Sequence, residues 1–330
     1  MTRMSHSITR RTFVAGIPFV AAGSASAAAD YPNKPIRLIV PFQAGGATDI
    51  FARVIADGLG KRLGQPVLVE NRLGAGGIIA TDHVAKSVAD GHTLIMTTPA
   101  TTVFSLALYR KLPYDPRTDL RMVSDLAQTR AVLAVNPSVP AHDFASLIAT
   151  MKAAPDKYAM GSWGPGTFPN QIQVYMNKTY GLKILHVPYK GEGPMAVDLI
   201  GGVTHMTAGT ITTLQPHIAS GKLRAIAVVG TQRAKALAQI STFAEQGYPD
   251  PVYAASGPTS VMAPASTPDA IVERIGREIQ ALVLQPEVRR RFEELGAEPI
   301  GNLPAEAAAA YKAYFPIAFK MTQDTGVQLD

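Results

Sequence analysis

Two adjacent glycines, Gly45 and Gly46, follow a short apolar run in the stretch Ile36 to Asp49, IRLIVPFQAGGATD. Without a Cβ they let backbone N–H groups approach a ligand closely. The residues after them open a helix with Phe51, Ile55, Leu59 and Leu63 along one face. A strand, a glycine turn and a helix N-terminus make a seat for an anion, because unpaired amides and the positive end of the helix dipole favour a carboxylate or phosphate. The amides of Gly45 and Gly46 are its candidate contacts. An ordinary βα turn has the same pattern, so from this stretch alone both readings stand.

Bond-making chemistry finds less support. There is no G-x-S-x-G elbow, and neither Gly60-Lys61 nor Gly221-Lys222 is followed by Ser or Thr as a P-loop requires. Gly74-Ala75-Gly76-Gly77 lacks the glycine spacing of a dinucleotide fingerprint. The seven histidines include no H-E-x-x-H and no close pair, and the chain has no cysteine. That excludes disulfides, thiolate metal sites and a Cys nucleophile, and neither cofactor nor metal is expected. His186 lies where it could reach a ligand, but no nucleophile is assembled with its base, so the chain reads as a non-enzyme.

What remains is a set of glycine and hydroxyl turns at strand C-termini in both halves of the chain. Thr97 and Thr98 close one strand, and Ser162-Trp163-Gly164-Pro165-Gly166-Thr167 follows another. The four hydroxyls can donate hydrogen bonds and Tyr189 can add a phenol, with local turn capping as the alternative for each. In open α/β sheets ligands bind at such strand ends, so a cleft between two domains would be lined by these loops.

The elements that must hold these turns alternate strand and helix, as in a parallel sheet with crossover helices. Strands are expected at Ile36–Val40, Val67–Val69, Thr93–Met96, Ala131–Val135, Tyr158–Gly161 and Leu223–Val229. Helices are expected at Phe144–Ala153, Asn170–Tyr180, Asp269–Leu284, Glu287–Leu295 and Pro304–Thr325. At 330 residues two domains are the natural division. We place the first lobe at 30–131 plus 252–330 and the second at 132–251.

Residues 1–29 read as an export signal. Arg10-Arg11-Thr12-Phe13 precedes the apolar run Val14 to Ala22, and cleavage is expected near Ala27 or Ala29. The run is too short to span a bilayer, and the paired arginines suggest the twin-arginine route. Removing the segment takes away three arginines and no acid, so the formal charge falls from +6 to +3. Without a dense basic block, nucleic acid is not an expected partner. The mature protein itself is expected to be soluble, exported to the periplasm and monomeric.

The chain resembles the periplasmic solute-binding receptors of tripartite tricarboxylate transporters, the Bug or TctC-type proteins, along nearly its whole mature length. The matching blocks include Tyr31-Pro32-Asn33-Lys34-Pro35, Pro41-Phe42 with Gly45-Gly46-Ala47-Thr48-Asp49, Glu70-Asn71-Arg72 with Gly74-Ala75-Gly76-Gly77, and His186-Val187-Pro188-Tyr189-Lys190-Gly191. The resemblance implies a two-lobed, Venus-flytrap α/β fold (type II-like), each lobe a mainly parallel sheet flanked by helices. It implies closure over a small organic carboxylate, a di- or tricarboxylate or an aromatic acid, and delivery to one large and one small membrane subunit. An exported sensor serving a membrane signalling partner is the alternative. By this resemblance the guest is held by the turn Phe42 to Asp49, with Phe42, Ala44, Gly45, Gly46, Thr48 and Asp49 as its contacts, by groups near Gly76, and by Ser162, Gly164, Gly166 and Thr167.

Three departures bear on the guest. Asn170 stands where many relatives carry histidine, Gly209 followed by Thr210 where many carry aspartate, and Trp163 and Phe168 where small residues are usual. Loss of the acid removes a partner for an amino group, and two flat side chains add contact area. Calorimetric titration is therefore expected to rank benzoate-like or dicarboxylic acids above aspartate; preference for the amino acid would contradict this.

Overall fold

The computed structural model describes residues 31–254, 257–326 and 328–329. The expected export signal lies outside them. Strand β1 (Ile36–Val40) pairs in parallel with β2 (Val67–Asn71) on one side and β3 (Thr93–Thr97) on the other. A strand flanked on both edges and covered on both faces must be apolar along its length, and only Arg37 departs from this. Its guanidinium reaches Glu70 on β2 at 2.8 Å. Helices α1 (Ala47–Leu63) and α2 (Ile78–Ala85) follow β1 and β2. After β3, a π turn at Ala100–Phe104 runs into the short α3 (Ser105–Leu108).

The chain then enters β4 (Leu120–Thr129) and, after Arg130 alone, β5 (Ala131–Val135). These two strands lie in different sheets. The second sheet is built from β5, β6 (Ala159–Ser162), β7 (Leu185–Pro188), β8 (Met206–Thr210) and β9 (Arg224–Val228), in the order β7-β6-β8-β5-β9. Its helices are α4 (Phe144–Ala153), α5 (Phe168–Tyr180), α6 (Glu192–Ile200) and α7 (Ile211–Ala219). The return strand β10 (Pro258–Pro264) inserts between β3 and β4, followed by α8 (Asp269–Val283), α9 (Pro286–Glu294), β11 (Ala297–Pro299) and α10 (Pro304–Asp324). The first sheet thus reads β11-β4-β10-β3-β1-β2.

Both sheets are mixed, which corrects the expectation of mainly parallel ones. β10 is antiparallel to β3 and β4, and β5 is antiparallel to β8 and β9. The cause is the double crossing. One connection leaves the first sheet and one comes back, so the strands that carry them, β4 with β10 and β5 with β9, run in opposite senses.

Each sheet is buried on both faces. Along β5, Ala131, Leu133 and Val135 enter one core while Val132 and Ala134 enter the other, the period of two that a pleated strand imposes. Phe144, fully buried, is the hub of the second lobe's core. Its ring meets Tyr180, Phe243, Tyr248 and Tyr253 edge-on, with centroids 4.7–5.7 Å away. Phe144→Ala should lower the free energy of unfolding by about 3–5 kcal/mol, read from the urea midpoint; a loss below about 1 kcal/mol would show that this hub is not what holds the lobe.

Candidate functional site

The loop from β1 to α1 is fixed by its own acid. Asp49, in the first turn of α1, accepts from Gly45 N at 3.1 Å, Asn71 Nδ2 at 3.0 Å and Arg53 Nη2 at 3.0 Å. Asn71 also donates to Phe42 O at 2.9 Å, tying the loop to β2. Burial alone would raise the Asp49 carboxyl, but hydrogen bonds from Arg53, Asn71 and Gly45 and the charge of Arg53 outweigh it and hold it below its ordinary value.

Two residues beyond Gly45, Ala47 N opens α1 and is taken by a carboxylate from the other lobe. Glu192 Oε2 accepts from it at 3.2 Å. The same carboxylate accepts from Thr210 N at 2.8 Å, Thr210 Oγ1 at 2.9 Å and Thr213 Oγ1 at 3.0 Å. Thr210 is the N-cap of α7, so a buried carboxylate sits between the N-termini of helices from two sheets. Beside it the backbones touch: Gln43 N donates to Lys190 O at 2.9 Å. A Cβ on Gly191 would lie 2.9 Å from Gln43 N, and one on Gly193 2.9 Å from Ala44 O, so glycine is what lets the lobes meet here.

Two small cavities lie between the lobes. One, of about 30 Å³, is lined by Phe42, Gly46, Thr48, Asp49, Glu192 and Thr210 among others; the second, of about 70 Å³, by Pro99, Phe104, Arg130 and Phe168 among others. They share Thr98, Trp163 and Thr210. Both crossings between the sheets contribute to the second, through Thr129 to Ala131 and through Gly257. Among the described residues lining the pair, Arg130 is the sole cation, and it is engaged by Glu298 Oε1 at 3.0 Å and Gln232 O at 2.8 Å. A third hollow, about 250 Å³, extends behind Thr98 and Pro99 into the first lobe, past Thr97, Asp125 and Tyr314.

The site residues read from sequence therefore divide. Phe42, Gly46, Thr48, Asp49, Thr98 and Trp163 line the interlobe cavities. Ala44 and Gly45 are exposed beside them, and the Gly45 amide is spent on Asp49. The second glycine turn folds onto itself. Ser162 Oγ contacts Gly164 O and N at 3.0 and 3.1 Å, Thr167 Oγ1 donates to Gly164 O at 2.6 Å, and Asn170 Oδ1 accepts from Gly166 N at 2.9 Å. All three side chains are buried and line neither cavity, so capping is their observed role. Gly164 packs on Gly76, where a Cβ would come within 3.1 Å of Gly76 Cα; this is a rim contact between lobes. Thr97 pairs with Thr101 at 2.7 Å, Tyr189 donates to Asp198 at 2.7 Å, and Gly209 packs under Leu214. None of these three lines either cavity.

One pairing runs against the sequence reading that no nucleophile meets a base: Ser162 Oγ lies 2.7 Å from His186 Nε2. Burial pushes the imidazole down, and the serine is fully buried in its own turn and lines neither interlobe cavity. The pair braces the turn. The residues that sequence reasoning missed are Glu192, Arg130 and Phe104, with Thr210 noted only as a neighbour of Gly209. The available signal for Glu192 was an acid between two glycines at the mouth of a helix.

A model of the tripartite tricarboxylate transporter family receptor, TctC, matches residues 51–308. The chain belongs to this family. Receptors of the family are periplasmic and bind solutes. Protein BugT of Bordetella pertussis (strain Tohama I) is 38% identical to this TctC-type chain over 301 residues, covering 90% of it and 92% of BugT. An R. palustris protein solved with adipate is 32% identical, with a TM-score of 0.85 over 91% of this chain and 99% of the other. MatC from Rhodopseudomonas palustris, solved with malate bound, is 28% identical, with a TM-score of 0.83 over 88% and 100% of the two chains.

In this TctC-type receptor the Asp49 clasp carries a pH dependence of known sign. Its folded-state pKa is depressed, so its contribution to stability is present above the ordinary aspartate value of 3.8 and is lost as pH falls through the lower folded value. Asp49→Asn should reduce thermal stability at pH 7 and flatten its decline below about pH 4. An unchanged acid limb would show that the clasp does not couple to folding.

Proposed function

We propose that this receptor captures a small organic carboxylate between its lobes in the periplasm and delivers it to the large and small membrane subunits of a tripartite transporter. One observation carries the reading: amides and hydroxyls from both lobes converge on a carboxylate, that of Glu192, at the facing N-termini of α1 and α7. A site that seats one carboxylate so completely has the donor set for another.

The lobes would move as 30–131 plus 252–330 against 132–251, turning about the crossings at Arg130 and near Gly257. Contacts from both lobes are available together only when they meet, so a guest stabilises closure by what it gains there. The cavities hold no uncommitted cation among the described residues, which suits recognition by neutral donors and permits release. Phe42, Phe104, Trp163 and Phe168 around them favour an acid with an apolar or flat body. Relatives solved with malate and with adipate support a guest of that size. Export is supported by the arginine-led apolar segment at residues 10–22.

The test is isothermal titration of purified receptor with malate, adipate, benzoate and aspartate, followed by a thermal melt with each. At least one of the first three should bind with a micromolar or tighter constant and raise the melting temperature by several degrees, since saturation at a hundred times Kd adds about 2.7 kcal/mol. No heat and no shift with any of them would refute the carboxylate reading.

A further inference from the structure

We infer that Glu192 is a built-in stand-in for the guest's carboxylate, a latch that closes the unliganded receptor and that a guest must displace. The inference rests on the carboxylate reading above for the displacement, and on geometry alone for the latch. Three of the four donors to Glu192, namely Thr210 N, Thr210 Oγ1 and Thr213 Oγ1, belong to its own lobe. The fourth, Ala47 N, belongs to the other. Parting the lobes therefore leaves the side chain oriented by the threonines and removes only the first amide of α1.

Nothing of opposite charge explains the placement. Among the described residues no Lys or Arg is ion-paired with Glu192, and Asp49, which lines the same cavity, is already held by Arg53, Asn71 and Gly45. A buried carboxylate satisfied by helix N-termini and hydroxyls, with no cation, is bound as an external anion would be bound. The packing around it is built for that position: a Cβ on Gly46 would lie 3.3 Å from Glu192 Cβ and 3.6 Å from its Oε2. The seat cannot hold two carboxylates, because the cavity beside it is about 30 Å³ and like charges at contact repel. A guest acid thus enters as the lobes part, takes Ala47 N and the threonine donors, and sends Glu192 toward water.

Two substitutions break the same hydrogen bond and separate the latch from the seat. Glu192→Ala removes the stand-in and leaves the donors. Ala47→Pro removes the donor and keeps Glu192; position 47 is the first of α1 and Gly46 before it is extended, so the helix accepts proline there. Trp163, the chain's single tryptophan, lies in the cleft and reports its opening through acrylamide quenching, checked by the radius of gyration from X-ray scattering. Both variants without ligand should be quenched more strongly than wild type and scatter as a more open particle. Affinity for malate or benzoate, whichever binds wild type, should rise about tenfold or more in Glu192→Ala, rise less in the isosteric Glu192→Gln, and fall in Ala47→Pro.

Unliganded Glu192→Ala that quenches and scatters like wild type overturns the latch and leaves the carboxylate receptor standing. Opening of Glu192→Ala with no acid bound by any variant supports the latch and removes the guest class. Equal acid affinity in wild type and Glu192→Ala overturns the displacement.

Discussion

A carboxylate held between the N-termini of two helices from different sheets is the interaction on which this structure turns. Each terminus leaves amides that its own helix cannot satisfy, and each is aimed by the strand before it, β1 for α1 and β8 for α7. Separately the two ends are ordinary. Facing each other across a cleft they form one seat with a half on each sheet, so under the proposed function seating an anion and closing the molecule are one event.

That coupling depends on how the lobes are joined. The chain crosses at Arg130 and returns through the stretch before β10, and these crossings also wall the larger cavity. Arg130 holds Glu298 of the first sheet and the carbonyl of Gln232 beyond β9. One arginine at the first crossing is thereby tied to the first sheet and to the chain beyond the second. The same crossings make the sheets mixed. Gly191 and Gly193 lie against Gln43 and Ala44, and Gly164 against Gly76, at backbone contact between the two sheets' loops.

Much of this was legible in the residues, and the limits are physical. The β1–turn–α1 unit declared itself through an apolar run, two glycines and a 3.6-residue periodicity, and the α4 range agrees with its pattern from Phe144 to Ala153. β4 was missed because Arg121, Ser124, Asp125 and Gln128 break its apolar run. Asp125 is tolerated there through Ser260 and Asn302, partners that lie far along the chain, and its carboxyl is pushed up by burial. At the site, the sequence leaves Ser162, Thr167 and Asn170 between ligand contact and turn capping, because short polar side chains in glycine turns serve ligands and local backbone alike, and the structure shows their bonds within the turn. Glu192 was passed over for the opposite reason. An acid in the first turn of a helix reads as a solvated dipole partner, and only the fold shows that the helix facing it belongs to the other lobe.

The most direct measurement is a crystal structure of the wild-type receptor grown with saturating malate or benzoate, read at one place. The account predicts a guest carboxylate within hydrogen-bond distance of Ala47 N and Thr210, with Glu192 rotated out of the seat. Glu192 still bound to Ala47 N, with the guest elsewhere, would contradict it.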